Sequence, residues 1–146
     1  MFKINFFEIG GHSLLAVRLF TEIEKTFGRI LPLSVLLQAP TIEQLAQVLR
    51  AGLEPAWSPL VTIQVGNPAK PPLFCIHGGG FNVLVYRPLA INLGSEQPVY
   101  GLQAQGLDGK AIRDRMEDIA SDYIHADPNP CSAGRSVLFG RFVEWR

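Results

Sequence analysis

The sequence predicts a mixed fold, helical in residues 1–53 and alternating between strand and helix after that. Three observations predict it. Leu15, Leu19, Ile23 and Phe27 recur every four residues, the spacing of one helical face. Two short apolar runs, Leu60–Val65 and Leu73–Ile76, have strand length and are flanked by prolines. Met116–Ile124 then returns to helical spacing, with Ile119, Ala120 and Tyr123 on one face. A chain of 146 residues holds one ordinary domain or two small or incomplete ones.

The first helix is predicted to begin at Ser13. Ala16 and Phe20 widen its apolar stripe, Arg18, Glu22 and Lys25 take the other side, and Gly28 is the expected stop. Residues 32–38 are apolar and short, the length of a single helical turn. A further helix starts at Pro40-Thr41-Ile42-Glu43-Gln44. Thr41 is placed to cap it and Gln44, three residues on, completes a capping box; Leu45, Val48 and Leu49 form its buried stripe. Residues 54–72 contain Pro55, Pro59, Pro68, Pro71 and Pro72, a linker composition that surrounds the strand-like patch at 60–65. The next buried-strand run, Leu73–Ile76, ends in His77-Gly78-Gly79-Gly80. Tyr86–Ala90 reads as the following helix start and Gln97–Leu107 as a strand with its exit loop. The expected organisation is a helical domain over 1–53, a linker at 54–57, an α/β segment over 58–124 and an irregular tail over 125–146.

Composition narrows the function. Hydrophobic residues are 47% and charged residues 18% of the chain, a globular balance and not a disordered one. Thirteen basic residues offset thirteen acidic ones with no Lys/Arg cluster, which argues against a nucleic-acid binder held by phosphate contacts. Cys75 and Cys131 form no CxxC or metal-ligand pattern, so a reducing cytoplasm is the expected compartment. The N-terminus lacks the basic, apolar and small-residue order of a signal peptide, and no apolar run is long enough for a membrane span.

The most informative run is Phe6-Phe7-Glu8-Ile9-Gly10-Gly11-His12-Ser13-Leu14-Leu15-Ala16. A serine ahead of an apolar helical run is usually a helix cap, worth about 1 kcal/mol. The flanks point further. Gly10 and Gly11 allow a close approach of backbone, through which a transferase would reach the hydroxyl. A helix N-terminus favours a bound phosphodiester. His12 reads as an exposed loop residue. Followed by Leu37-Gln38-Ala39-Pro40-Thr41-Ile42, the run closely resembles the peptidyl carrier domains of nonribosomal peptide synthetases, over residues 4–50.

That resemblance implies that Ser13 anchors a covalent 4'-phosphopantetheine arm, making the protein a phosphoprotein. The arm's thiol would carry acyl or peptidyl chains in secondary metabolite biosynthesis. It implies a phosphopantetheinyl transferase and coenzyme A as partners, together with upstream synthetase modules. Carrier domains are four-helix bundles whose first helix precedes this motif. Only Met1–Asn5 precede it here, so the expectation is a partial all-α carrier bundle with its first helix missing and the stripe 15/19/23/27 partly uncovered.

His77-Gly78-Gly79-Gly80 after a short strand matches the oxyanion loop of α/β-hydrolases, where backbone N–H groups face a tetrahedral intermediate. The bland alternative is a flexible turn with a chance histidine. The glycines are expected to open a path that side chains would block. Residues 58–124 look like the N-terminal part of the thioesterase that follows the last carrier domain in peptide synthetases, so the second half is expected to be a partial α/β-hydrolase fold. Such an enzyme works through a Ser-Asp-His triad. No G-x-S-x-G occurs in the chain, and neither His77 nor His125 matches the base. Cys75 reads as a small core residue. Activity of the chain on its own is therefore disfavoured, and no metal site is expected.

The tail invites a reading in the genetic code. Codons for Cys131-Ser132-Ala133-Gly134-Arg135-Ser136-Val137-Leu138-Phe139-Gly140-Arg141, read one nucleotide later, can encode Val-Gln-Pro-Glu-Gly-Pro-Tyr-Phe-Leu-Gly-Gly. That is the kind of segment the thioesterase family carries before its nucleophile. A divergent surface tail is the plain alternative. Three functions follow from different classes: a carrier module, a thioesterase, and a frameshifted, non-functional fragment of a synthetase.

Overall fold

A computed structural model of the chain describes residues 4–52, 57–80, 82–104, 113–126 and 138–141. The chain divides into two compact units, Met1–Trp57 and Ser58–Arg146.

The first unit holds helices α1 (Ser13–Phe27), α2 (Val35–Gln38) and α3 (Ile42–Ala51). Helix α1 stops where the spacing places its stop. Gly28 takes φ 64°, and its N–H donates to the Glu24 carbonyl at 2.8 Å. Lys25 in the last turn complements the negative end of the helix. The buried face is Ala16, Phe20 and Ile23, which corrects the expected stripe. Leu15 lies about 100° around the helix from Ala16 and is 42% exposed. Phe27 is 61% exposed at the end of the helix, where the chain turns away through Gly28. In α2 and its flanks, Leu31, Val35, Leu36 and Ala39 are buried.

Helix α3 carries the capping box that Thr41 and Gln44 predict. The Gln44 N–H donates to Thr41 Oγ1 at 3.3 Å, and the Thr41 N–H donates to Gln44 Oε1 at 3.2 Å. Leu45 is buried, while Val48 and Leu49 are half-buried. At the far end Gly52 takes φ 65°, and the Arg29 guanidinium donates to its carbonyl at 3.1 Å.

The second unit is a four-stranded sheet in the order β1-β3-β2-β4: β1 (Leu60–Gln64), β2 (Leu73–Ile76), β3 (Val99–Leu102) and β4 (Leu138–Arg141). β2 runs parallel to both β3 and β4, and β1 runs antiparallel to β3 along the edge. A short 3-10 turn, Leu84–Tyr86, leads into α4 (Arg87–Asn92), and both lie between β2 and β3 in the chain. The core is Val61, Phe74, Cys75, Val83, Leu84, Tyr86, Ala90, Val99, Leu102 and Ala104. Gly101 sits where a Cβ would collide with the side chain of Val83, so β3 needs glycine for that close approach. Helix α5 (Met116–His125) has Ile119 and Tyr123 half-buried. Ala120, expected on the same face, is exposed, so the covered face is narrower than the spacing suggests.

The tail yields one surprise. Arg135–Arg146 has no readable period, yet Leu138–Arg141 forms β4, with Leu73 opposite Leu138 and Ile76 opposite Arg141. The parallel ladder with β2 supplies the hydrogen bonds that side-chain patterning does not announce. The rest of the segment on which the shifted-frame reading stands lies outside the described residues. Among the described residues, no helix is long and apolar enough to cross a membrane.

Replacing Thr41 with Ala removes one capping oxygen and lowers stability by about 1 kcal/mol. Gly101→Val forces Val83 out of place and costs about 1–3 kcal/mol. Urea denaturation of the two variants, followed by far-UV circular dichroism, reads both losses.

Candidate functional site

The approach to Ser13 is fixed by the turn before it. Asn5 bridges to Thr41, and the Phe6 N–H donates to the Pro40 carbonyl at 2.7 Å, which pins this turn to the start of α3. Asn5 Oδ1 accepts from the Phe7 N–H at 3.0 Å. The Gly11 N–H then donates back to the Phe6 carbonyl at 2.9 Å. Gly10 adopts φ 90°, a left-handed geometry that side chains resist. At Gly11 a Cβ would run into the carbonyl oxygen and ring of Phe6. The two glycines are thus needed by the turn itself.

Ser13 is the first residue of α1 and not its cap. His12 occupies the cap position, with φ −137° and ψ 175°, and its exposed side chain caps nothing. The first helical bond runs from the Ala16 N–H to the His12 carbonyl at 2.9 Å. The N–H groups of Ser13, Leu14 and Leu15 precede that bond and have no acceptor among the described residues. The Ser13 hydroxyl, half-buried, also makes no hydrogen bond among them. No acidic residue stands in the first turn. Unpaired donors at the positive end of a helix, with no carboxylate nearby in the turn, suit a singly charged phosphodiester on the serine oxygen. Leu14, beside the serine, is 72% exposed.

In the second unit His77–Gly80 leaves the C-terminal end of β2 and leads toward the 3-10 turn. The His77 N–H donates to the Leu102 carbonyl of β3 at 2.9 Å, and the ring Nδ1 lies 2.9 Å from the Gly78 carbonyl oxygen. The Tyr86 hydroxyl donates to the carbonyl of Ile76, the last residue of β2. Among the described residues, a Cβ at Gly78 or Gly79 would meet nothing within 4 Å, and neither residue has positive φ. Among the described residues nothing blocks a side chain at Gly78 or Gly79, against the expectation that the glycines are needed for a tight path.

The ring of Tyr123 on α5 stands edge-on to His77, with centroids 6.2 Å apart. Sequence reasoning placed Tyr123 on the buried face but missed this contact. Its hydroxyl is buried with no hydrogen-bond partner among the described residues. Burial, and then the neighbouring Asp122 charge, pushes its pKa up to about 12. Cys75 is buried on β2 and burial pushes its thiol up, so it is a core residue and no thiolate nucleophile. His125 Nδ1 lies 2.7 Å from the Ser121 carbonyl of its own helix. Among the described residues, no group of three or more His, Cys, Asp or Glu could hold a metal.

Residues 2–49 match the family described as the phosphopantetheine attachment site. This part of the chain is a phosphopantetheine-binding carrier domain of the nonribosomal peptide synthetase kind, and the cofactor of such a domain is covalently attached 4'-phosphopantetheine. The chain is 40% identical over 122 residues to a dimodular nonribosomal peptide synthase of Bacillus subtilis (strain 168), covering 82% of this chain and 5% of that protein. It is 47% identical over 105 residues to indigoidine synthase of Dickeya dadantii (strain 3937), covering 71% of this chain and 7% of that one. A crystal structure of holo-AB3403, a four-domain nonribosomal peptide synthetase bound to AMP and glycine, aligns with TM-score 0.55 and 27% identity over 97% of this chain and 11% of its own. The chain thus spans only a small part of the proteins it resembles.

Two outcomes follow from the geometry. Gly11→Ala destabilises the first unit by about 1–3 kcal/mol, while Gly78→Ala leaves the melting temperature of the second nearly unchanged; differential scanning calorimetry compares them. Because the Tyr123 pKa is raised from 10 to about 12, the unfolded chain loses that proton first as pH rises. Stability therefore falls between pH 10 and 12, and Tyr123→Phe removes that part of the slope in denaturation curves taken across the range.

Proposed function

We propose that this chain is a carrier module of a nonribosomal peptide synthetase that holds acyl or peptidyl chains on an arm attached to Ser13. The observation that carries this reading is the Ser13 hydroxyl at the head of α1, which, like three N–H groups around it, has no partner among the described residues. Those N–H groups would hold the phosphodiester of the arm, and the exposed Leu14 and His12 leave the serine open to a modifying enzyme. The bound group supplies a thiol on which a carboxylic acid is held as a thioester. A phosphopantetheinyl transferase acting with coenzyme A, and the neighbouring domains of a synthetase, are the partners this reading requires.

We further propose that the second unit is the N-terminal part of a chain-releasing thioesterase of the α/β-hydrolase fold. Several observations support it. A parallel strand passes into His77-Gly78-Gly79-Gly80 and then into a helix, the order in which such enzymes place an oxyanion loop. Among the described residues, a Cβ at Gly78 or Gly79 would meet no neighbour within 4 Å. The chain connects β2 to β3 on one side and then reaches β4 on the other side of β2, so the loop stands where the strand order reverses. Crevices of that kind are where open α/β sheets bind ligands. The similarity to known proteins also runs past residue 49: a probable non-canonical nonribosomal peptide synthetase, CymA, of Salinispora arenicola (strain CNS-205) is 40% identical over 139 residues, 94% of this chain and 2% of that protein. The chain contains no G-x-S-x-G, so the described loop alone would bind and not hydrolyse.

Incubating the purified chain with coenzyme A and a broad-specificity phosphopantetheinyl transferase should raise its intact mass by one phosphopantetheine. Ser13→Ala should abolish the gain. An unmodified chain, with the transferase shown active on another carrier, would sink the reading.

A further inference from the structure

Ser13 holds a place that its side chain does not favour. Serine is among the best helix caps, because its oxygen accepts from a backbone N–H two or three residues on; histidine is not. Yet α1 takes in Ser13 as its first helical residue, and His12 sits at the cap with φ −137° and ψ 175°. The bond that sets this start runs from the Ala16 N–H to the His12 carbonyl at 2.9 Å. Were the helix to begin one residue later, Ser13 would become the cap, and its oxygen would accept from the N–H of Leu15 or Ala16. Capping alone favours that later start, about fivefold. Something ahead of Ser13 must hold the helix to the earlier one.

The segment ahead of it is a single turn closed at both ends. At its head the Asn5 carbonyl accepts from the Glu8 and Ile9 N–H groups at 3.1 and 3.3 Å. Asn5 Oδ1 accepts from the Phe7 N–H at 3.0 Å, as a capping side chain does. At its foot the Gly10 N–H donates to the Phe7 carbonyl at 3.2 Å, and the Gly11 N–H donates to the Phe6 carbonyl at 2.9 Å. With Gly10 at φ 90°, those nested bonds form the stop that ends many helices. A lone turn is marginal, because fixing its backbone yields few bonds. This one is supported from outside: Asn5 bridges to Thr41, and the Phe6 N–H donates to the Pro40 carbonyl at 2.7 Å. Gly11 is thereby tied to Phe6, and His12 alone separates it from Ser13, so the direction in which the chain enters α1 is set upstream.

We infer that Asn5 is a positioning residue for the modification at Ser13, which rests on the proposed reading of Ser13 as the attachment point. By capping the turn ahead of α1, Asn5 holds His12 extended, starts the helix at Ser13 and keeps the serine from capping its own helix. A hydroxyl that accepts from Leu15 or Ala16 lies back over the helix and occupies a donor that the phosphodiester would use. In the observed arrangement the Ser13 oxygen and the N–H groups of Ser13, Leu14 and Leu15 have no partner among the described residues. Removing the Asn5 oxygen takes one hydrogen bond from the early start and moves the balance toward the self-capped helix about fivefold.

The test uses the full chain and two readouts. Nuclear magnetic resonance gives the Cα and Cβ carbon shifts of Ser13, which differ between a helical residue and an extended cap residue. Kinetics give kcat/KM for transfer of phosphopantetheine from coenzyme A. The native chain should show helical shifts at Ser13. Asn5→Leu should move them toward cap values and lower kcat/KM about fivefold. Asn5→Asp keeps an acceptor oxygen and should do neither. Adding His12→Asn to Asn5→Leu supplies a strong cap directly before Ser13; it should restore both the helical shifts and the rate, which a merely weakened fold would not regain. Cap-like shifts in the native chain, unchanged shifts in Asn5→Leu, or a loss that His12→Asn fails to restore overturns the inference. Should Asn5→Leu fail to fold, Gly10→Ala loosens the foot of the turn instead. Among the described residues its Cβ meets nothing within 4 Å, while φ 90° disfavours alanine. The same movement of the Ser13 shifts is expected, and its absence overturns the inference. Failure of the native chain to accept phosphopantetheine concerns the function reading alone, and the Ser13 shifts still decide the role of Asn5.

Discussion

The N–H groups of Ser13, Leu14 and Leu15 have no acceptor among the described residues. Every helix leaves such donors at its start, and most are satisfied by a capping side chain. Here the cap position is given to His12, whose side chain does not turn inward. The turn from Asn5 to Gly11 is tied elsewhere, to Pro40 and Thr41 and back on Phe6. The result is a positive helix end with a free hydroxyl on it, stable because the donors remain open to solvent or to an anion.

The contrast with α3 shows what that arrangement costs. α3 has a complete capping box, with Thr41 and Gln44 satisfying each other's backbone donors. The same Thr41 also bridges to Asn5, so one residue caps a helix and anchors the turn that leads to the uncapped one. A cap is worth about 1 kcal/mol, and α1 forgoes it directly before Ser13. Buried Ala16, Phe20 and Ile23 hold the helix instead.

In the second unit the sheet brings together residues far apart in the chain. His77 leans on Leu102 through its backbone and on Tyr123 through its ring, although they are 25 and 46 positions away. Tyr123 was legible only as an apolar position on a helical face, because ring contacts between elements leave no mark in local spacing. Gln103 gave a faint signal, a polar residue directly after the apolar strand run Val99–Leu102, but its partners Ser58 and Pro59 could not be read from it. β4 gave no signal, since its hydrogen bonds come from β2 and its residues carry no alternation.

Local chemistry was written in the sequence alone: the start of α1 at Ser13, its stop at Gly28, the capping box of α3, the strand runs that became β1, β2 and β3, and the serine-centred run that marks a carrier domain. These depend on backbone preferences and on contacts within a few residues, which spacing records faithfully. Tertiary structure decided which side of α1 is covered, why Gly10 and Gly11 are glycines, that no described residue crowds a side chain at Gly78 or Gly79, and that Gln103 bonds to Ser58 and Pro59. Each of those depends on which distant backbone comes within a hydrogen bond or a van der Waals radius, and one-dimensional patterning carries no record of that distance.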